Sequence, residues 1–438
     1  MDQFTAVIIL LFALFALLGS GVWVGLSLLG VAVIGMEVIA GRDAGGSVFL
    51  KIWPDASSWT LTALPMFVWM GEILYRTRLS EDLFRGLSPW LARLPGGLVH
   101  TNIVGCTVFA AVSGSSAATL STVGRMSIPE LRRRAYPEPI VIGTLAGAAT
   151  LGLMIPPSLT LIVYGVTINE SIRELFLAGV VPGLVLALMF MAYVAIYSRV
   201  SDQWNPAPEP AMSFVGKVRN SGYLIPVVLL IVLVIGSLSL PGGYAFTATE
   251  AAAVGVIGAL TLAAMQGSLT RETFVASLMG AVRTSAMIAL ILAGAAFLTL
   301  AMGFTGLPRA LADWIGALEL SRFELLVALL AFYIVLGCFL DGISSVVLTM
   351  AIVEPMIRQA GIDVIWFGIF ITVAIEMAQI TPPIGFNLFV LQGITRHEMG
   401  YIAKAALPMF AIMVAMAFLL IAVPDLATWL PDTIRELD

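Results

Sequence analysis

Long apolar stretches, each about the length of a membrane-spanning helix, follow one another along this chain and leave few folds open to it. A spanning helix needs about 20 predominantly apolar residues. Eight stretches meet this requirement directly: residues 3–19, 21–39, 59–75, 177–197, 223–240, 248–266, 282–302 and 403–422. Only 11% of the 438 residues are charged, whereas soluble domains carry about 25%. The sequence therefore predicts an all-α polytopic membrane protein.

Four further apolar stretches are interrupted in the middle. Residues 138–167 and 364–394 are each broken by a Pro-Pro pair, and residues 98–128 and 324–357 are interrupted by Ser/Gly or Asp/Gly/Ser clusters. The first two are expected to be broken spanning helices and the last two re-entrant hairpins. Together with the eight uninterrupted stretches, this predicts about ten transmembrane helices plus two re-entrant hairpins.

Composition also excludes several classes of function. The net charge of −5 is small and the basic residues are not massed into a patch, which argues against a nucleic-acid partner. The two cysteines and two histidines form neither a disulfide framework nor a metal site, and no nucleophile–base pair is evident, so an enzyme is not expected. The apolar start lacks a basic n-region and is expected to be a retained helix.

Basic residues near the helix ends predict the orientation in the membrane. They cluster near residues 76–93, 132–134, 199–219, 271–283 and 396–404. If every apolar stretch crosses as predicted, all five clusters lie on one side, which should be the cytoplasm. Both termini are then expected on the periplasmic side, and the linker 201–221 on the cytoplasmic side. The amphipathic stretches near 78–94 and 305–320 suit helices that lie along the interface.

Proline positions reveal an internal repeat. Three proline landmarks recur with one spacing of 226 residues: Pro129 and Pro355, Pro156–Pro157 and Pro382–Pro383, and Pro182 and Pro408. Five predicted crossings separate the two broken helices, and because this number is odd the second copy should run through the bilayer in the opposite direction. Inverted repeats with discontinuous helices are typical of secondary transporters whose site lies near the midplane.

The breaks themselves predict where that site lies. Unpaired backbone groups are costly in hydrocarbon, so non-helical backbone is tolerated only where it lines a protein cavity. The carbonyls freed beside each Pro-Pro pair suit an alkali cation. Asp341 lies in an apolar stretch, where an ionised group is expected to be functional; the alternative is that it satisfies a buried donor. Arg125 has two interpretations, a bidentate contact with a substrate carboxylate or a side chain that extends to the membrane surface.

Several motifs resemble the large membrane subunit of tripartite ATP-independent periplasmic (TRAP) transporters, such as those for dicarboxylates and sialic acid. In the first half these are Ser113-Gly114-Ser115-Ser116-Ala117-Ala118-Thr119, Ile128-Pro129-Glu130, Leu153-Met154-Ile155-Pro156-Pro157-Ser158, Tyr164-Gly165 and Leu175-Phe176-Leu177-Ala178-Gly179. In the second half they are Asp341 and Ile380-Thr381-Pro382-Pro383-Ile384-Gly385-Phe386-Asn387-Leu388-Phe389. The chain departs from the family pattern at Ala248, where proline is usual, and at Ala378, where glycine is more usual.

The resemblance implies sodium-driven uptake of a small organic acid through the bacterial inner membrane. It also implies two partners, a small membrane subunit and a soluble periplasmic binding protein, and an elevator mechanism in which a mobile transport domain slides against a fixed scaffold. Scaffold and interfacial arm helices would occupy residues 1–97 and 177–323, the two transport-domain repeats 98–176 and 324–402, and the last scaffold helix with the tail 403–438.

Residue by residue, the resemblance also implies two sodium sites and a substrate site. The first sodium site would involve Ser113, Gly152, Ile155 and Pro157. The second would involve Gly337, Ala378, Thr381 and Ile384. The substrate would be bordered by Asp341, Ser115, Ser116, Ser344, Ser345, Arg125 and Asn387.

The alternatives to a tripartite permease are a stand-alone symporter and a channel. The nearer is a stand-alone sodium/dicarboxylate symporter of similar inverted architecture, which would work without a binding protein. A channel is disfavoured because inverted broken-helix repeats suit alternating access. The substrate is open among C4-dicarboxylates, sialic acid, other sugar acids and ectoine-like zwitterions.

Overall fold

The computed structural model describes residues 3–201, 204, 206, 212–240, 245–306, 320–383 and 385–437, and in these ranges the secondary structure is helical, without strands. Helices α1 to α10 are Gln3–Gly19, Val24–Ile34, Ala44–Ala56, Ala63–Tyr75, Leu79–Leu91, His100–Ser113, Ser116–Arg133, Glu138–Thr150, Leu159–Ile168 and Ile172–Val200. Helices α11 to α20 are Phe214–Ser221, Ile225–Leu238, Ala248–Met265, Arg271–Thr305, Arg322–Gly337, Gly342–Gln359, Val364–Gln379, Phe386–Thr395, Met399–Ala422 and Asp425–Leu437. The interfacial helix predicted near 305–320 lies almost entirely outside the described residues.

Four of the described helices are long and apolar enough to cross a membrane on their own. They are α10, α13, α14 and α19, and α11 with α12 forms a fifth candidate that is bent by 52°. Other predicted spans are shorter helices: α1 has 17 residues, and α4 has 13 residues preceded by the 3-10 turn Trp59–Thr62. A multi-pass helical membrane protein is confirmed, while the number of about ten crossings stays a prediction.

The helix bounds in the two halves of the chain match. Helices α7 and α16 both have 18 residues, and both of their ends are offset by 226 positions. Helices α8 and α17 begin at the same offset, and α9 and α18 begin 227 positions apart. The proline register therefore corresponds to a recurring order of helices.

Each predicted hairpin consists of two helices joined by a tight turn. Helix α6 ends at Gly114, which has a left-handed φ of 61°, and the side chain of Ser115 then caps α7 by accepting from the amide of Ala118 at 3.4 Å. In the second hairpin, Asp341 caps α16 through the amides of Ile343 and Ser344. Ser115 and Asp341 are 226 residues apart, so the same capping position begins the second arm of both hairpins.

Both predicted helix breaks are confirmed. Helix α8 passes into the 3-10 turn Leu151–Leu153, and α9 begins after the Pro156–Pro157 pair with Ser158 as its cap. In the second half, α17 ends at Gln379 and α18 begins at Phe386, after Pro382–Pro383. Both Pro-Pro peptide bonds are cis.

Arginines in equivalent positions connect the two halves of the chain, each at the C-terminal end of the second helix of a hairpin. Arg132, at the end of α7, pairs with Glu138 and lies 3.4 Å from His397, which follows the second broken helix. Arg358, 226 residues later at the end of α16, pairs at 3.0 Å with Glu170, which follows the first broken helix. Each hairpin therefore contacts the end of the other half's broken helix.

Helices α2, α3, α4, α12, α13 and α14 form a layer against which the first hairpin lies. Helix α14 packs on α2, α4 and α3, and α13 packs on α4 and α12. The contact of α14 with α2 is close, because a Cβ added at Gly294 would lie 2.5 Å from the carbonyl oxygen of Gly25. The layer meets the hairpin at Gly71 of α4, where an added Cβ would lie 3.0 Å from the carbonyl oxygen of Ser113.

Candidate functional site

The turn of the first hairpin lies directly on the first helix break. The amide of Leu159 donates to the carbonyl oxygen of Gly114 at 3.4 Å. A Cβ added at Gly114 would lie 2.6 Å from the carbonyl oxygen of Pro157, and one added at Gly152 would lie 2.8 Å from the carbonyl of Ser115. This close approach requires glycine at both positions.

Three of the residues predicted for the first sodium site therefore converge here: Ser113, Gly152 and Pro157. The Ser113 hydroxyl lies 2.8 Å from the Thr119 hydroxyl and 3.4 Å from the carbonyl oxygen of Ser115, and it is buried. Ile155 lies in the same break, with its side chain packed against Gly183 of α10. Hydroxyl and carbonyl oxygens held this closely are the hard ligands that an alkali cation prefers.

An equivalent arrangement surrounds the second break. A Cβ added at Gly337 would lie 2.5 Å from the Cβ of Ala378, and the Cys338 thiol lies 3.4 Å from the carbonyl oxygen of Pro382. The Thr381 hydroxyl donates to the carbonyl oxygen of Met377 at 2.6 Å. Gly337, Ala378 and Thr381 thus lie around one break, and Ile384, the fourth predicted residue, lies outside the described residues.

One buried hydrogen-bonded pair joins the two halves. Asn387 lies in the first turn of α18, and its amide nitrogen donates to the Ser116 hydroxyl at 2.7 Å. The Ser116 hydroxyl in turn donates to the amide oxygen of Asn387 at 2.9 Å. The exposed fractions of Ser116 and Asn387 are 3% and 0%. At the corresponding positions of the other half, Thr160 of α9 lies against Gly342 of α16. Each hairpin therefore packs on the second half-helix of the opposite repeat.

The other predicted substrate residues fall into different environments. Asp341 is exposed at the hairpin turn, where its carboxylate accepts from the Ser344 hydroxyl as well as from the backbone of α16. Ser345 is fully buried, and its hydroxyl has no hydrogen-bond partner among the described residues. Helix capping therefore satisfies the Asp341 carboxylate without a ligand, whereas the Ser345 hydroxyl is available to bind one.

Arg125 lies apart from the hairpin turn. It is exposed on α7 and lines a large cavity at the basic end of that helix, together with residues of α5 and α11. The smaller cleft beside Ser113 and Ser115 does not include it. The structure therefore does not bring Arg125 together with the other residues predicted to bind substrate.

That smaller cleft lies between the first hairpin and the layer that contains α4 and α14. Its volume is about 300 Å³. On one side it is lined by Ser115, Ala117 and Ala118, in and beside the first turn of α7. The Ala118 amide is already capped by Ser115, but the positive end of the helix dipole still favours an anion nearby. The position therefore suits a carboxylate.

Sequence reasoning missed the residues on the opposite wall of the cleft. They are Val68, Gly71, Glu72 and Tyr75 of α4 and Thr284 of α14. Glu72, an isolated acid in an apolar stretch, was the available signal; its carboxylate pairs with Arg76. Gly71 and Thr284 carry no distinguishing pattern in the sequence.

Glu376 is a further buried acid beside the second break. Its exposed fraction is 0%, and neither carboxylate oxygen has a hydrogen-bond partner among the described residues. It precedes Ala378 by two positions on α17. A buried carboxylate without a partner is retained only where a proton or cation satisfies it.

The pair Ser116–Asn387 can be tested by a double-mutant cycle. Asn387→Ala is expected to lower the free energy of unfolding by about 1–3 kcal/mol, because it leaves the buried Ser116 hydroxyl without its partner. The double variant Ser116→Ala/Asn387→Ala should cost less than the sum of the two single changes. Thermal unfolding in detergent measures this, with Ser198→Ala as control because, within the described part of the chain, that hydroxyl donates to Ala195 of its own helix alone. Strictly additive effects would contradict the pairing.

Comparison with known proteins identifies the family. The profile of the family described as "Tripartite ATP-independent periplasmic transporter, DctM component" matches residues 11–426. The chain is 30% identical to the C4-dicarboxylate TRAP transporter large permease protein DctM of Pseudomonas aeruginosa, over 89% of this chain and 90% of that protein. It is 28% identical to the sialic acid TRAP transporter large permease protein SiaM of Vibrio cholerae, over 96% of this chain and 97% of that protein.

A solved structure shares the fold. The YdaH transporter of Alcanivorax borkumensis superposes with a TM-score of 0.60 and 15% sequence identity, covering 88% of this chain and 89% of that one. A likeness at this identity concerns the fold alone. The family profile, by contrast, spans nearly the whole chain. This protein therefore belongs to the large permease (DctM component) family of TRAP transporters, multi-pass subunits of the bacterial inner membrane that operate with a small membrane subunit and a periplasmic binding protein.

Proposed function

We propose that this permease is a sodium-coupled importer of a small organic acid, which a periplasmic binding protein delivers. The observation that carries the proposal is the convergence of each hairpin turn on a helix break, with the buried pair Ser116–Asn387 linking the two. Sodium bound at the two breaks would fix both hairpin turns in place. The anion would then bind in the cleft at the first turn of α7.

The substrate class follows from the relatives and from the cleft. The names of the relatives include C4-dicarboxylate, sialic acid and ectoine/5-hydroxyectoine transporters. A cleft of about 300 Å³ with a helix N-terminus on one wall suits a small molecule with at least one carboxylate. A small carboxylate is therefore the proposed cargo.

An elevator movement is the proposed mechanism. The mobile body would comprise the two hairpins and the two broken helices, which interlock through Arg132 and Arg358. The fixed scaffold would include α2, α4, α13 and α14, which pack on one another. The matching helix bounds support two repeats, and the odd number of predicted crossings between them supports their inverted orientation. The basic clusters predicted to lie on the cytoplasmic side support periplasmic positions for both termini.

Dependence on the binding protein separates this proposal from a stand-alone sodium/dicarboxylate symporter. The permease and its small subunit would be reconstituted in liposomes with an inward sodium gradient. Uptake that begins only when the binding protein is added supports the tripartite mechanism. Full uptake without it would favour the stand-alone symporter.

Loss of a hydroxyl at either break is expected to weaken sodium coupling. Ser113→Ala and Thr381→Ala should each raise the sodium concentration for half-maximal uptake by about tenfold, because each removes one potential ligand or the group that orders it. The control is Thr261→Ala, since the Thr261 hydroxyl also donates to the carbonyl four residues earlier but is exposed on α13. An unchanged sodium dependence in both test variants would overturn the sodium assignment.

A further inference from the structure

A large basic cavity lies at the opposite end of α7 from the hairpin turn. Its volume is about 1100 Å³, and α5, α7, α11 and the end of α10 surround it. Seven basic side chains line it: Arg85, Arg93, Arg125, Arg133, Arg134, Arg199 and Lys217. The acidic side chains in the lining are Glu81 and Glu130. The cavity therefore carries a strong positive charge.

Most of this charge is not neutralised by the described residues. Glu130 accepts from Arg133 at 2.8 Å and from Arg134 at 2.6 Å. Among the described residues, the remaining four arginines of the lining make neither a hydrogen bond nor an ion pair with a protein group. These four side chains are exposed, and Arg85 also lies near Asp82. Guanidinium groups that line one cavity nevertheless favour an anion between them.

Lys217 is the strongest single indication of a ligand. Its exposed fraction is 6%, and it faces the cavity from α11. Its ammonium lies 5.5 Å from the centre of the Trp90 ring, and it has no hydrogen-bond partner among the described residues. The stem of Lys217 is therefore buried while its ammonium is directed at the cavity without a protein partner, and this arrangement favours pairing with an anion there.

The surroundings of the cavity indicate what kind of molecule carries that group. Helix α11 presents Phe214, Val215 and Val218 to the outside, beside the inward-facing Lys217. Trp90 of α5 fixes this helix by donating to the Ser221 hydroxyl at 2.8 Å. A basic cavity beside exposed apolar side chains suits a molecule with an anionic head and hydrocarbon tails.

We propose that this cavity binds the phosphodiester headgroup of an anionic phospholipid whose acyl chains lie along α11. The bound lipid would tie the interfacial helix α5 and the linker helix α11 to the basic end of hairpin 1. It would also neutralise the arginines that face one another there. The site is distinct from the cleft at the first turn of α7 and does not depend on the proposed transport function.

Native mass spectrometry of the purified permease complex tests the proposal. Phosphatidylglycerol is expected to bind more tightly than phosphatidylethanolamine, and Lys217→Gln should weaken phosphatidylglycerol binding by about fivefold. Arg219→Gln removes the same charge from an exposed position on α11 that does not line the cavity, so it should leave binding unchanged. Lys217→Arg should retain binding.

Further measurements separate the lipid from other anions and from misfolding. Equal binding of phosphatidylglycerol to the wild type, Lys217→Gln and Arg219→Gln would overturn the proposal. Displacement of the lipid by millimolar inorganic phosphate would also overturn it in favour of a free-anion site. If Lys217→Gln does not fold, Arg93→Gln tests the same cavity. Arg93 is exposed and lies on the chain segment that follows α5. Unweakened phosphatidylglycerol binding by Arg93→Gln would likewise contradict the lipid site.

Discussion

Replacing Gly152 with alanine is expected to abolish most of the proposed sodium-driven uptake. The new Cβ would lie 2.8 Å from the carbonyl carbon and oxygen of Ser115 and 3.0 Å from the amide nitrogen of Ser116. All three are backbone atoms, so no side chain can rotate away to relieve the overlap. The hairpin turn must move off the break, and overpacking of this kind costs about 1–3 kcal/mol. A cost of that size at a binding geometry corresponds to a loss of roughly tenfold to a hundredfold.

Uptake in proteoliposomes, normalised to the amount of inserted protein, measures the effect of Gly152→Ala. The matched control is Gly393→Ala, because Gly393 also lies in a half-helix of the broken pair but an added Cβ there meets nothing within 4 Å. The control should retain uptake. Normal uptake by Gly152→Ala would mean that the hairpin turn and the break need not touch during transport.

The breaks and hairpins could be predicted from the sequence because their signals are local. Proline lacks an amide donor and restricts the residue before it, so the two Pro-Pro pairs end α-helix wherever they occur. Ser115 and Asp341 mark the starts of α7 and α16 because short polar side chains cap helices well. Both signals act within a few residues and need no knowledge of the fold.

The packing partners could not be predicted, because they depend on how distant helices meet. Ser116 and Asn387 are 271 residues apart, and nothing in either sequence context indicates their pairing. The same holds for Gly71 and Thr284, which form one wall of the cleft. Arg125 had two interpretations in the sequence, and its position in the middle of the 18-residue helix α7 places it on the large basic cavity and away from the hairpin turn.

Helix lengths show a second limit of predicting helices from hydropathy. The apolar stretch 282–302 predicts one span, whereas α14 extends over 35 residues and begins at Arg271. A capping box formed by Thr270 and Thr273 starts the helix before the apolar stretch begins. Polar capping and membrane burial are separate determinants, and a search for apolar stretches detects only the second.

Gly337→Ala is expected to impair uptake as severely as Gly152→Ala, but from the other half of the molecule. The added Cβ would lie 2.5 Å from the Cβ of Ala378, and among the described residues no other neighbouring atom lies within 4 Å of it. The obstacle is therefore a single methyl group. Removing that methyl should make room for the new one.

The double variant Gly337→Ala/Ala378→Gly is accordingly expected to recover uptake to within about fivefold of the wild type. The remaining cost is the lower helix propensity of glycine at the end of α17, about 1 kcal/mol or less. Ala378→Gly alone should show only that small cost. Uptake and its sodium dependence would be measured for the wild type, both single variants and the double variant. Rescue requires that α15 and α17 touch at these two residues during transport. A methyl group removed elsewhere on α17 would create no space for the methyl group introduced on α15. If the double variant stays as impaired as Gly337→Ala, the close approach of the second hairpin to its break is wrong, and with it the equivalence of the two proposed sodium sites.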